Sequence, residues 1–94
     1  MYLIIRLKDS APHFAELKDM YPDNGDGRIH FYLVDGLRFM FIEIGSGMYF
    51  DHFDDNTTHI YTWTVDGEET WVNIDYIDYF YTDKENPFHD KYER

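Results

Sequence analysis

The sequence predicts an α+β fold: one short N-terminal helix packed on a twisted antiparallel sheet of about five or six strands. Three observations carry that expectation. Aromatics make up 20% of the 94 residues, as nine Tyr, eight Phe and two Trp, while alanine occurs only at positions 11 and 15. Large aromatic and β-branched side chains suit a pleated, half-buried surface. The string Val-Asp-Gly occurs twice, at 34–36 and 65–67, each time between β-rich runs. The stretch 11–21 has apolar residues at helical spacing over several turns. A small curled β-barrel with one helix over its mouth is the alternative arrangement. The length fits one domain, expected over residues 1–83, followed by a polar tail at 84–94.

The elements follow in order. Residues 2–8, YLIIRLK, read as the first strand. Ser10 is placed as a helix N-cap, with Pro12 in the first turn, where its missing N–H costs nothing. Phe14, Leu17 and Met20 or Tyr21 then form one apolar stripe over 11–21. Pro22 and the DNGDG cluster end the helix in a loop. A first hairpin runs RIHFYLV, Asp35-Gly36, LRFMFIEI, and a second HIYTWTV, Asp66-Gly67, EETWVNI. Asp-Gly favours a two-residue type I′ turn, which needs positive φ at both central positions. The sequence therefore predicts the same turn chemistry twice.

Between the hairpins, Gly45 and Gly47 suggest a bend or bulge, Met48–Phe53 a short strand, and Asp54–Thr58 a turn. Asp75 and Asp78, like Ile74 and Ile77, are three apart, which fits a helical turn better than a straight strand. A turn or bulge is expected at 75–78, then a last strand through Tyr79–Thr82. The tail, with Pro87, is expected to fray, with Phe88 and Tyr92 as its possible anchors.

The formal net charge is −11, from nineteen acids against eight Lys and Arg. That sign opposes direct binding to phosphate backbones or to anionic membranes. Absence of cysteine excludes disulfides, thiolate zinc sites and a thiol nucleophile. The apolar run Leu3–Ile5 is too short for a signal peptide or a span, so a cytoplasmic protein is expected. High aromatic content sets the chain apart from disordered acidic tails.

The acids are unevenly placed. Residues 39–83 hold Glu43, Asp51, Asp54, Asp55, Asp66, Glu68, Glu69, Asp75, Asp78 and Asp83, and no Lys or Arg. Mixed-sign surfaces limit self-repulsion, and this stretch has no internal cation to do so. Fixed anions about 6.6–6.8 Å apart along a strand face, or 5–6 Å apart on a helical turn, can imitate a phosphate backbone. Tyr49, Tyr61, Tyr76, Tyr79 and Tyr81 are interleaved with them, and Tyr is a frequent interface anchor. The competing reading is a solvated acidic surface that simply helps solubility, with the tyrosines covering a thin core.

Catalytic constellations are weak. The serines are Ser10 and Ser46, and IGSGM has neither nucleophile-elbow nor phosphate-loop spacing. Adjacent carboxylates at 54/55 and 68/69 point to opposite faces of a strand and make no acid–base dyad. Residues 22–33 echo a calcium loop, but its first and twelfth positions would be Pro22 and Leu33 rather than oxygen ligands. Asp51, His52, Asp54, Asp55 and His59 could in principle form a metal-binding module or enzyme centre, though at no recognised ligand spacing. No enzyme and no cofactor are expected.

In size and charge the chain resembles small acidic inhibitors of phage or mobile-element origin, of the anti-CRISPR or anti-restriction type. The resemblance implies a nucleic-acid mimic that fills the basic cleft of a nuclease, CRISPR effector, restriction enzyme or repair enzyme. The expected contacts are Asp51, Asp54, Asp55, Glu68, Glu69, Asp75 and Asp78, with Tyr49, Tyr76 and Tyr79 as apolar anchors. An acidic immunity protein or antitoxin that neutralises a basic toxin would use the same chemistry. Several aromatics could equally serve a homodimer interface.

Overall fold

A nearly continuous apolar first strand, whose successive side chains point to opposite sides, lets both faces of its sheet bury apolar residues. The computed structural model describes residues 1–21, 28–45, 49–52 (as backbone) and 57–85. Strand β1 (Tyr2–Leu7) turns Leu3, Ile5 and Leu7 to one side and Tyr2, Ile4 and Arg6 to the other. Helix α1 (Phe14–Met20) follows. Then come β2 (Ile29–Val34), β3 (Leu37–Glu43), β4 (Tyr49–His52), β5 (Thr58–Trp63) and β6 (Glu69–Asn73). A 3-10 turn (Ile74–Tyr76) leads into β7 (Ile77–Asp83).

The predicted α+β class holds, and the described residues form seven strands in two antiparallel sheets: β2-β3-β1-β7 and β4-β5-β6. The described strands do not close into a barrel. Leu3, Ile5, Leu7, Met40 and Ile42 from the four-stranded sheet form the main core with Leu17 of α1 and with Ile60 and Val72 of the three-stranded sheet. Helix and small sheet thus contribute to one apolar centre, the layered solution a small α+β chain needs. Ile4, Tyr32, Phe39 and Phe41 make a second cluster on the opposite face.

Strand β3 is where the two sheets meet. Its edge accepts β2, and beyond the start of β2 that edge passes to the end of β5. Glu43 N–H donates to Arg28 O at 2.9 Å, while Val65 N–H donates to Glu43 O at 3.0 Å. Gly45 N–H donates to Trp63 O at 3.1 Å, and Ile44 pairs with Thr64. A Cβ on Gly45 would sit 3.1 Å from Val65 Cα and 3.2 Å from Thr64 O. The bend expected at Gly45 is therefore a close backbone approach; Gly47 lies outside the described residues.

Two local expectations are corrected. The helix begins at Phe14 with His13 as N-cap, and no side chain caps it. Pro12 disfavours helical geometry at Ala11, so the chain from Ser10 cannot enter a helix directly. Arg38 occupies the carbonyls there instead: it donates to Lys8 O at 2.8 Å, Ala11 O at 3.1 Å and Pro12 O at 2.7 Å. The second correction concerns the hairpin turns. Asp35 and Gly36 have φ of 53° and 78°, as a type I′ turn requires. At Val65-Asp66-Gly67 only Gly67 has positive φ, at 90°. Thr64 N–H bonds Glu68 O at 2.9 Å and Gly67 N–H bonds Thr64 O at 3.0 Å, which closes a three-residue loop with Gly67 at its left-handed bulge position. The Thr64 hydroxyl selects this form, donating to Asp66 Oδ1 and accepting from Glu68 N–H at 3.0 Å.

The other expectations fare better. The backbone of β4 lies within the short strand expected at 48–53. Of the turn expected at 54–58, residues 54–56 lie outside the described residues, and Thr58 already belongs to β5. At 75–78 both anticipated features occur. Asn73 Oδ1 accepts from Asp75 N–H at 2.8 Å and starts the 3-10 turn. Asp78 is then the extra residue of a bulge, because Leu7 pairs with Ile77 but Arg6 with Tyr79. The tail beyond residue 85, including Phe88 and Tyr92, lies outside the described residues. No helix among the described residues is long and apolar enough to cross a membrane.

Candidate interaction surface on the three-stranded sheet

Period-two alternation divides the small sheet sharply. Ile60, Thr62, Thr70 and Val72 are buried on its inner side. His59, Tyr61 and Trp63 of β5, and Glu69, Trp71 and Asn73 of β6, therefore belong to its outer side. Pairing sets Tyr61 opposite Trp71 and Trp63 opposite Glu69. The rings of Tyr61 and Trp71 lie 3.9 Å apart, and those of Tyr61 and Trp63 4.6 Å apart. All three are half-buried, and none belongs to either core cluster. The chain's two tryptophans are thus both in one outward aromatic array.

A groove of about 370 Å³ runs along β6 beside this array. Glu68, Glu69, Trp71 and Asn73 line its sheet side. The end of α1 contributes Met20 and Tyr21, β2 and its approach contribute Ile29 and Arg28, and the 3-10 turn contributes Tyr76. Burial pushes the Tyr21 phenol well above its ordinary range, and the neighbouring Tyr76 adds to the shift. Tyr21 is therefore a neutral hydroxyl at any physiological pH. The Arg28 guanidinium lies 3.5 Å from Glu43, which also lies 3.8 Å from His30 Nε2. Its charge is met locally, while Glu68 and Glu69 are exposed.

The expected contact residues fall in several places. Glu68, Glu69 and Tyr76 come together in the groove. Asp75 is exposed on the 3-10 turn just beyond it. Asp78 and Tyr79 are exposed on β7, an edge strand of the other sheet, where Tyr79 stacks with Tyr81 at 6.4 Å. Burial, then Tyr79 and Asp83, hold the Tyr81 phenol above its ordinary value. The β4 backbone places Tyr49 opposite Tyr61 and Asp51 opposite His59. Asp54 and Asp55 lie outside the described residues. The acids do not form one tight cluster, since β6 alone separates Glu68 from Asp75 by about 17 Å of strand.

Glu43 changes the charge map. Its sequence neighbours offer no cation, but Arg28 on the approach to β2 supplies one. Asp66, Glu68, Glu69, Asp75, Asp78 and Asp83 are all exposed. Sequence reasoning missed Trp63 and Trp71: the expected two-residue turn would pair Trp63 with Thr70 and set Trp71 on the opposite face, and only the three-residue loop brings Tyr61, Trp63 and Trp71 to one side. No group of three potential metal ligands occurs among the described residues; of the 51–59 cluster, Asp54 and Asp55 lie outside them and Asp51 and His52 are described as backbone alone. Compared with protein-family models, curated proteins and solved structures, the chain matches none.

Proposed function

We propose that this protein is an acidic interaction protein that occupies the basic cleft of a nucleic-acid-binding protein. The observation that carries the reading is the surface of β6 and β7. Between residues 66 and 83 six acids are exposed and no Lys or Arg occurs. Two of them, Glu68 and Glu69, border a groove walled by Trp71, Tyr21 and Tyr76. Carboxylates of one sign steer encounter with a cationic cleft and suppress other partners. Aromatic residues in a concave patch supply the desolvated anchors that such attraction alone lacks. The mechanism is competitive occlusion: the protein holds the site that phosphates would fill, and does no chemistry.

Charge reversal tests the reading. Glu68→Lys with Glu69→Lys should weaken binding to the captured partner at least tenfold and leave the far-ultraviolet circular dichroism unchanged. Unchanged affinity in a folded double variant would remove the carboxylates of β6 from the mechanism.

A further inference from the structure

We propose that the outer edge of β7 is a docking site, on which a basic extended segment of the partner adds as a fifth strand of the four-stranded sheet. The proposal rests on the acidic-surface reading above and names how the partner's chain is held. β7 stands at the end of its sheet and, among the described residues, pairs with β1 alone. Its bulge at Asp78 lies near the start. From Tyr79, paired with Arg6, to Asp83, paired with Tyr2, the register is unbroken over about 17 Å. In such a pair alternate residues turn N–H and C=O toward the neighbouring strand, and those between turn them outward. The outward row is a template for another strand. Asp78, Tyr79, Tyr81, Thr82 and Asp83 are all exposed, with Tyr79 at 48% and Tyr81 at 39%. Phe80, on the other face, packs against the main core and holds the strand in place.

Charge decides the occupant. Asp75, Asp78 and Asp83 are exposed on β7 and the turn before it, and no Lys or Arg occurs between residues 39 and 83. Arg6, beside Tyr79 on β1, donates to the Leu7 carbonyl, and the next cation along the chain, Lys84, lies just past the strand. A second copy would bring the same carboxylates to the edge. Paired strands lie about 4.8 Å apart, well inside the screening length of about 8–10 Å, so two such edges repel. A strand carrying Lys or Arg reverses the sign and gains cross-strand ion pairs. The carboxylates thus oppose the self-pairing that a long open edge invites, and favour a basic strand. Tyr79 and Tyr81 lie on one face with their rings stacked at 6.4 Å. Their exposed sides suit the aliphatic stems of Lys or Arg, whose charges then reach the carboxylates. Main-chain bonds give such a complex its affinity, and alternate side chains its specificity. The opposite edge, β2, has no acid between Ile29 and Val34 and lacks this match.

The test uses the full chain and a synthetic probe, an end-blocked nonapeptide of alternating Lys and Thr. The peptide is titrated into isotope-labelled protein at 50 mM NaCl, and amide shifts and hydrogen exchange are read residue by residue. Shifts should concentrate at Tyr79–Asp83, and exchange there should slow at alternate amides, because only the outward N–H groups gain partners. The same peptide N-methylated throughout keeps its charge but has no backbone donor, and should bind at least tenfold more weakly. Asp78→Lys with Asp83→Lys should weaken the unmethylated peptide at least tenfold, and Leu33→Lys on β2 should leave its affinity unchanged. The peptide comparison needs no variant, so a double variant that misfolds does not spare the proposal. Shifts confined to the groove beside β6, or equal affinity for the two peptides, overturn strand addition and leave the acidic-surface reading standing. Failure of both peptides to bind at 50 mM NaCl overturns both. A wild-type dimer in sedimentation, with exchange at β7 already slowed before peptide is added, would assign the edge to a second copy and also overturn the proposal.

Discussion

Arg38 shows how one side chain can organise a loop that the backbone leaves open. It reaches back from β3 to the carbonyls of Lys8, Ala11 and Pro12 and lies 5.9 Å above the Phe14 ring. Several charge-assisted bonds to carbonyls that Pro12 prevents from joining a helix explain why α1 starts late. Arg38→Ala should destabilise the fold by about 1–3 kcal/mol in urea unfolding, and Arg38→Lys should recover little, because a compact ammonium cannot spread over the four carbonyls of Lys8, Asp9, Ala11 and Pro12 as the planar fork does. Tyr21 gives a pH signature. Its phenol is held above the ordinary value of 10.0, so the folded state resists its ionisation more than the unfolded state does. Stability from this group is complete below pH 10 and falls as pH rises above that value. Chemical unfolding at stepped alkaline pH should show that loss, and Tyr21→Phe should flatten much of it. An unchanged alkaline slope in Tyr21→Phe would assign the loss to other groups.

Elements were legible in the sequence where local chemistry dictates them. The first hairpin's β2, type I′ turn and β3 follow from Asp35-Gly36 between alternating apolar runs. The second hairpin was legible as a hairpin but not in its turn, because Thr64 bonds Asp66 and Glu68 and draws the loop to three residues. Dipeptide preference cannot report such a side-chain bond. The helix was legible in its stripe, as Phe14, Leu17 and Tyr21 all pack on the core, but not in its start, which depends on Arg38 from another strand. The junction at Gly45 could not be read at all as a sheet-to-sheet contact, since it joins residues far apart in the chain. Gly45→Ala should be more damaging than a surface substitution, because Val65 Cα and the Thr64 carbonyl are backbone and cannot move aside cheaply. Calorimetry should show a lower melting temperature, with hydrogen-exchange protection lost first at Trp63–Val65.

Across the whole molecule, charge and apolar burial pull in opposite directions. Leu17, Ile60 and Val72 are fully buried where helix and small sheet contribute to the common core. Outside that core the exposed acids between 66 and 83 repel one another. Salt screens such repulsion over about 8–10 Å. The melting temperature should therefore rise between 0.05 and 0.5 M NaCl, and a flat response would mean that the acids are paired or too dispersed to interact. The uneven charge was plain in the sequence, but its surface was not: Glu43 finds Arg28 only through the β2–β3 pairing, and the tryptophan array exists only in the register of β5 with β6. The same surface is the basis for the proposed partner. Its most direct test is an affinity capture from the source organism's lysate, using wild type and the Glu68→Lys, Glu69→Lys variant as bait. The captured protein is then assayed for nucleic-acid binding with and without each bait. The account predicts a nucleic-acid-binding protein held by wild type at 50 mM NaCl, reduced at 500 mM and reduced with the variant, whose nucleic-acid binding wild type inhibits. A partner held equally by both baits, or one whose nucleic-acid binding is untouched by wild type, would contradict it.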